Sequence, residues 1–521
     1  MRSYLQLATS IKKQCLTIFI AGFLGAVAAS AAAEPSVPYM PTWQARHHLE
    51  RLADEAGLQI TTTHWPLPAA AVQQALDDLP NDLSPSLLES KAFVADELRQ
   101  LRQQGHADAQ LRNRAEAPVG FGENYTPGSS LRVSSSAAEF GPEALPVAAR
   151  VGVRVEQNPD SLQTNFSGGI GSDSRTQARL DNTALVTGIF GFNVQAFAHQ
   201  NWWGPGWESS LINGNNIPPL LGIGLQRSAV KPSESKWLSW MGPWSFEMFL
   251  ARTEDSVVVA NQPGKTYLMG SRLTLKPWSW LEIGFTRDEQ MAGTAHDMLL
   301  TTFAVGNTQG AQQDVNGQSN GVAGYDLKLN CPKGTHCSAY LQWMGEDASG
   351  QSHLPNQFMT LGGMEWWSDS GRHRLFTEFM QTYTDSLPWD SYHYVGSGYR
   401  NGSFPQGFTN DGRWIGSSFG GDARVLTLGW LDAEASRMLK LYSGETSTAL
   451  GSYDPNTNAT GNLIGPHGRL TGFSVQQSYQ WYAWAVTPEF AYTHLAEGQT
   501  IGVNKTTNVR GGVTLSRPFG D

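Results

Sequence analysis

Ala149-Arg150-Val151-Gly152-Val153-Arg154-Val155-Glu156 alternates strictly, with its valines on one face and Arg150, Arg154 and Glu156 on the other. Period two is the mark of an extended strand. A soluble sheet buries such a valine face in a core. A strand of a closed membrane barrel turns it to lipid and points the polar face into a lumen. The pattern recurs to the C-terminus. Trp244, Phe246, Met248 and Leu250 oppose Ser245, Glu247 and Ala251, with Phe249 intruding on the polar side. Ala339, Leu341 and Trp343 oppose Ser338, Tyr340 and Gln342, and Val486, Phe490 and Tyr492 oppose Thr487 and Glu489. Val509, Val513, Leu515 and Phe519 share the last such face. Leu375 to Met380 is apolar on both faces and does not discriminate between the two readings.

What precedes this region points to export. Arg2, Lys12 and Lys13 lead an apolar run from Leu16 to Ala29, and Ala31-Ala32-Ala33 offers a cleavage site before Glu34, so residues 1–33 read as a signal peptide. Beyond it no apolar run approaches the ~18 residues of a spanning helix, whereas barrel strands need only ~10 alternating residues each. The 521-residue chain is only 16% charged and carries 55 glycines, 18 tryptophans, 15 tyrosines and 22 phenylalanines, which suits many strands, tight turns and interfacial aromatics. Its formal net charge of -10 argues against a nucleic-acid partner.

Residues 41 to about 105 have helical spacing instead. Leu49, Leu52, Ala53 and Ala56 mark a first helix stopping near Gly57. A second opens at Pro68, and a third has Ser84 as N-cap and Pro85 at its first position. His47-His48 lacks the two-histidine spacing of a zinc helix and reads as part of a polar helix face. Three short helices are too few for an independent catalytic domain, and predict an appendage on a larger body. The expected organisation is a signal over 1–33, a periplasmic helical bundle over 34–112 and an all-β transmembrane barrel over 113–521. At roughly 20 to 24 residues per strand and turn, the last part allows about 16 to 20 antiparallel strands.

Cys331 and Cys337, six apart around a Pro and a Gly in an exported chain, predict a disulfide pinning a hairpin turn. Gly416-Ser417-Ser418-Phe419-Gly420 matches a nucleophile pattern, but a strand follows it where a helix is required, and no acid or histidine partner can be assigned. Neither catalysis, a cofactor nor a metal is indicated.

Two clusters carry recognition chemistry. Trp202, Trp203, Trp207, Glu208, Asn213, Asn215 and Asn216 crowd one strand end. Indole faces stack on sugar C–H faces, and amides and carboxylates bond hydroxyls. The same residues also suit an interfacial girdle with a lumen-constricting turn. Trp389, Tyr392, Tyr394, Tyr399, Arg400 and Arg413 sit in a long glycine-rich loop, and fit either glycan contacts or a loop held by its own hydrogen bonds.

Trp202-Trp203-Gly204-Pro205, Ser210-Leu211-Ile212 and Asn215-Asn216-Ile217-Pro218, with Gly398-Tyr399-Arg400 and Gly412-Arg413-Trp414-Ile415-Gly416 later, resemble the Wzi capsule-assembly family of outer-membrane proteins. The order of signal, helical bundle and long β region matches as well. The resemblance implies an 18-stranded barrel with the bundle at its periplasmic side, in the outer membrane of a Gram-negative bacterium. The implied role is non-catalytic and lectin-like: a monomer in contact with outer-membrane lipid that holds capsular or extracellular polysaccharide at the cell surface. The rival is a diffusion channel for small solutes, and the two differ in whether the lumen is blocked.

Overall fold

The computed structural model describes residues 34–113, 115, 117–126, 128–142, 145–157, 176–254, 266–291, 319–348, 355–385, 393–394, 397–399, 407–446, 467–499 and 507–520. Residues 1–33, read from the sequence as a signal peptide, lie outside them, as does most of the loop from Gly306 to Gly324.

Three helices come first: α1 (Trp43–Glu55), α2 (Ala69–Asp77) and α3 (Pro85–Gln103). Thr42 caps α1 by accepting from the Ala45 N–H, Pro68 precedes α2, and α3 opens on Pro85 after Ser84. Leu49, Leu52, Val72, Leu76, Val94 and Leu98 are buried between them. His47 departs from the polar-face reading. It is fully buried, its Nε2 2.7 Å from the Gly371 carbonyl and its Nδ1 accepting from Arg374, because this face of α1 packs on the barrel mouth.

Antiparallel pairing then runs from Gly105–Arg112 through 130–140, 147–157 and 176–189 to Phe192–His199, Leu220–Arg227, Trp244–Arg252, Tyr267–Trp278 and Leu281–Met291. It continues through Ser319–Asn330, Cys337–Ala348, Pro355–Trp367, His373–Asp385, Ala423–Asp432, Arg437–Thr446, 467–481 and Trp484–Gln499. The last strand, Thr507–Phe519, pairs with Trp484–Gln499 and back to the first along Gly105–Arg112, which closes a ring of eighteen strands when each interrupted strand counts once. The barrel therefore begins at Gly105 rather than at 113, and the helical part ends at Gln103. The strand 105–112 does alternate, Leu111 facing out and Gln110 in, but it is short and follows α3 directly.

The quoted stretch settles the orientation of the faces. Val151, Val153 and Val155 are 55%, 41% and 41% exposed, while Arg154 and Glu156 are buried. The apolar face is outside and the polar face inside, the arrangement of a barrel whose solvent is lipid. Short turns at 190–191, 279–280, 368–372, 433–436 and 482–483 lie at the end that carries the helices, and longer connections at the other. Exposed Phe140, Phe190, Trp278, Trp280, Trp366, Trp481 and Tyr482 ring the short-turn end, so the girdle is built there and not from the tryptophans at 202–207. Cys331 and Cys337 are bonded across a further turn at the same end, between Ser319–Asn330 and Cys337–Ala348. Asn330 beside them bonds Asp54 of α1.

Candidate functional site

The lumen is filled by the chain itself. Residues 58–68 run from α1 into the barrel, and the connection 200–219 folds inward to meet them. His64–Trp65 and Trp202–Trp203 pair as a short antiparallel ribbon, with Trp202 opposite Trp65. Glu282 on the wall accepts from the N–H groups of Thr62 (2.9 Å) and Thr63 (2.8 Å). Wall residue Gln342 donates to the Trp203 carbonyl (2.8 Å) and accepts from the Leu211 N–H (2.9 Å).

Glycine is required where the ribbon meets the wall. Gly204 has φ +149°, and a Cβ there would stand 2.5 Å from the Gln342 amide nitrogen. Phe249, the apolar intruder on a polar strand face, points inward and packs 5.4 Å from the Trp203 ring. Phe376 likewise stacks 6.1 Å from Trp207, which is why Leu375 to Met380 is apolar on both faces.

Charge organises the next turn. Glu378 accepts from the N–H groups of Trp207 (2.8 Å), Glu208 (3.3 Å) and Ser209 (2.7 Å), and the Trp207 indole donates to Glu365 at 2.7 Å. Arg46 of α1 donates to the carbonyls of Pro205 (2.6 Å) and Gly206 (2.8 Å). Around it Glu50, Lys328, Glu365 and Arg374 form a buried ion cluster joining α1 to three strands. Glu208 meets Lys440 at 2.6 Å.

A third segment, 407–422, covers the far side of this plug. Tyr399 donates to the Leu211 carbonyl (2.8 Å), and Arg413 grips Asn216 through both its carbonyl (2.6 Å) and its amide oxygen (2.9 Å). Asn213 donates to Asp288 (2.8 Å). Arg179 and Asp411 pair on the same side.

Seven sequence candidates, Trp202, Trp203, Trp207, Glu208, Asn213, Asn215 and Asn216, are thus brought together, but at 0–4% exposure inside the plug. Tyr399 and Arg413 join them there, equally buried. Their hydrogen bonds and ring faces close the lumen, which is the lumen-constricting turn of the two readings left open for this cluster. Trp389, Tyr392 and Arg400 lie outside the described residues, and Tyr394 is described in its backbone alone, paired with Thr384. The organising residues Arg46, Gln342, Glu365, Arg374 and Glu378 escaped sequence reading. Their one signal was a charge or amide on the inward face of an alternating strand or in a helix, where such groups are common.

Residues 101–448 match the family Capsule assembly protein Wzi, about two thirds of the chain. The chain belongs to that family. The plug-forming block from Trp-Trp-Gly-Pro to Asn-Asn-Ile-Pro lies inside the matched region. The Wzi-family chain is 28% identical over 340 residues to an uncharacterized 55.8 kDa protein in the cps region of Klebsiella pneumoniae, and the match spans 62% of each protein. Wzi of Escherichia coli, described as an outer-membrane protein involved in group 1 capsule assembly and a carbohydrate-binding β-barrel, superposes with TM-score 0.71 at 22% identity. The alignment covers 93% of this chain and all of that one. That likeness is one of fold.

Proposed function

We propose that this protein sits in the outer membrane with its helices on the periplasmic side and holds capsular or extracellular polysaccharide at the cell surface without catalysis. The observation that carries the reading is the filled lumen. Three chain segments and a buried ion cluster occupy the space through which a porin would pass solute, and removing one partner of a buried pair costs about 3–5 kcal/mol. Membership of a capsule-assembly family supports a polymer as ligand, held at the end opposite the helices. Contacts there are weak singly, and many along a polymer give retention by avidity.

The test compares cell-bound with released polysaccharide in a strain lacking the protein and in its complemented parent. An unchanged total with a shift into the medium supports attachment. An unchanged distribution, with altered uptake of small solutes, sinks it in favour of a channel.

A further inference from the structure

We propose that Glu208, Glu123 and Lys440 form a proton-dependent latch that holds the luminal connection 200–219 closed and loosens in alkali. The proposal rests on the filled-lumen reading. The Lys440 ammonium, on the wall strand Arg437–Thr446, stands 2.6 Å from Glu208 of the plug and 2.6 Å from Glu123 of the segment 117–126. The three side chains are at most 6% exposed, and Oε1 of Glu208 has no hydrogen-bond partner among the described residues. One cation thus serves two dry carboxyls. The cluster at α1 is built differently: there Lys328 and Arg374 together serve Glu50 and Glu365.

The charges around the latch have other partners. Arg46, packed on Trp207, pairs with Glu50. Arg112 bonds the Asn124 and Thr126 carbonyls beside Glu123 and shares Glu489 with Arg510. Glu378 accepts from the N–H groups of residues 207–209 and from the Tyr340 hydroxyl, which sets a third carboxylate against the backbone of Glu208 itself. Tyr442, its ring 5.7 Å from the ammonium, bonds Ser474. The contact with segment 407–422 is uncharged, Ser209 to Ser417 at 3.1 Å.

Two carboxylates on one ammonium leave surplus negative charge in a dry site, and the site relieves it by keeping a proton. Burial raises the Glu208 carboxyl from the ordinary 4.5 to about 8; Lys440 opposes the rise, and Glu123 and Glu378 add to it. A loop released into water returns the group to its ordinary value. Between 4.5 and about 8 the closed form therefore holds more proton than the open one. Its advantage falls by up to about tenfold per pH unit across that window and no further above it. Once ionised, Glu208 is repelled by Glu378, and the N–H groups of 207–209 leave with it.

The full-length protein is recorded in planar bilayers from about pH 5 to about pH 9. Expected for the wild type is silence in acid, then openings whose frequency climbs by up to about tenfold per unit and levels off above about pH 8. Glu208→Gln, neutral throughout, stays silent across the range. Glu123→Gln leaves Lys440 to Glu208 alone, so the climb levels off at lower pH. Heat-dependent migration on gels confirms that each variant folds. A wild type whose openings do not change with pH, or a Glu208→Gln barrel that opens in alkali as the wild type does, overturns the latch. A large steady conductance already present in acid defeats the filled-lumen reading beneath it.

Discussion

The guanidinium of Arg46, on the first helix, lies 4.1 Å from the indole of Trp207 in the luminal loop and 4.5 Å from the ring of Phe121. A residue of the bundle is thereby clamped between aromatics inside the barrel while bonding two loop carbonyls. Helices and plug are one packed body, and the bundle is no tethered appendage that can swing aside.

Arg46→Ala therefore destabilises far more than a surface change. It strips Glu50 of a partner, leaves the Pro205 carbonyl unbonded and leaves the Gly206 carbonyl with the Trp202 indole alone. The expected loss is about 3 kcal/mol or more, read as a lower unfolding midpoint of the folded gel band in urea.

Glu378→Ala frees the three N–H groups of residues 207–209. The barrel wall remains, but the loop loses its anchor. Planar-bilayer recordings are expected to be silent for the wild type and to show intermittent openings for the variant. A large steady conductance of the wild type contradicts a closed plug.

Trp202 and Trp207 are expected to act on polysaccharide retention through folding. Trp202→Ala is expected to cost about 3–5 kcal/mol and to lower the amount of folded barrel and retained polymer together. Trp202→Phe keeps most of the packing and most of the retention. Retention lost in a Trp202→Phe barrel at wild-type abundance would instead make the indole a direct sugar contact.

Acid weakens the bundle through its histidines. Burial first, then the nearby Arg51 and Arg374 charges, lowers the His48 pKa to about 4. Its folded pKa is thus depressed below the ordinary 6.5. The unfolded chain takes up the proton first, so stability is full above about pH 6.5 and falls as pH drops toward 4. His48→Gln is expected to lose less thermal stability between pH 7 and 4.5 than the wild type, and parallel curves for the two refute the assignment.

Removing the disulfide by Cys331→Ser with Cys337→Ser opens a turn still held by the Cys331 N–H to Cys337 carbonyl bond (2.9 Å). A loss of about 2 kcal/mol is expected, visible as a shifted denaturant midpoint with unchanged gel migration of the folded form.

Much of this molecule is local, and so was legible in the chain. Whether Val153 and Arg154 face opposite ways depends only on the period-two pleat, and where α3 starts depends only on Ser84 and Pro85. The disulfide spans six residues. What was not legible shares one cause. Gly105–Arg112 is a strand because Thr507–Phe519, at the other end of the chain, lies beside it. Which of the two readings of the tryptophans the fold adopts was not legible, because their partners lie far away in sequence: Arg46 to Gly206 across 160 residues, and Trp207 to Glu378 across 171. Sequence alone determined the alternation, the helices and the covalent staple, since these follow from neighbours along the backbone. Tertiary structure alone decided which polar face is dry and which aromatics are enclosed, because closing the ring is what brings distant strands around one lumen.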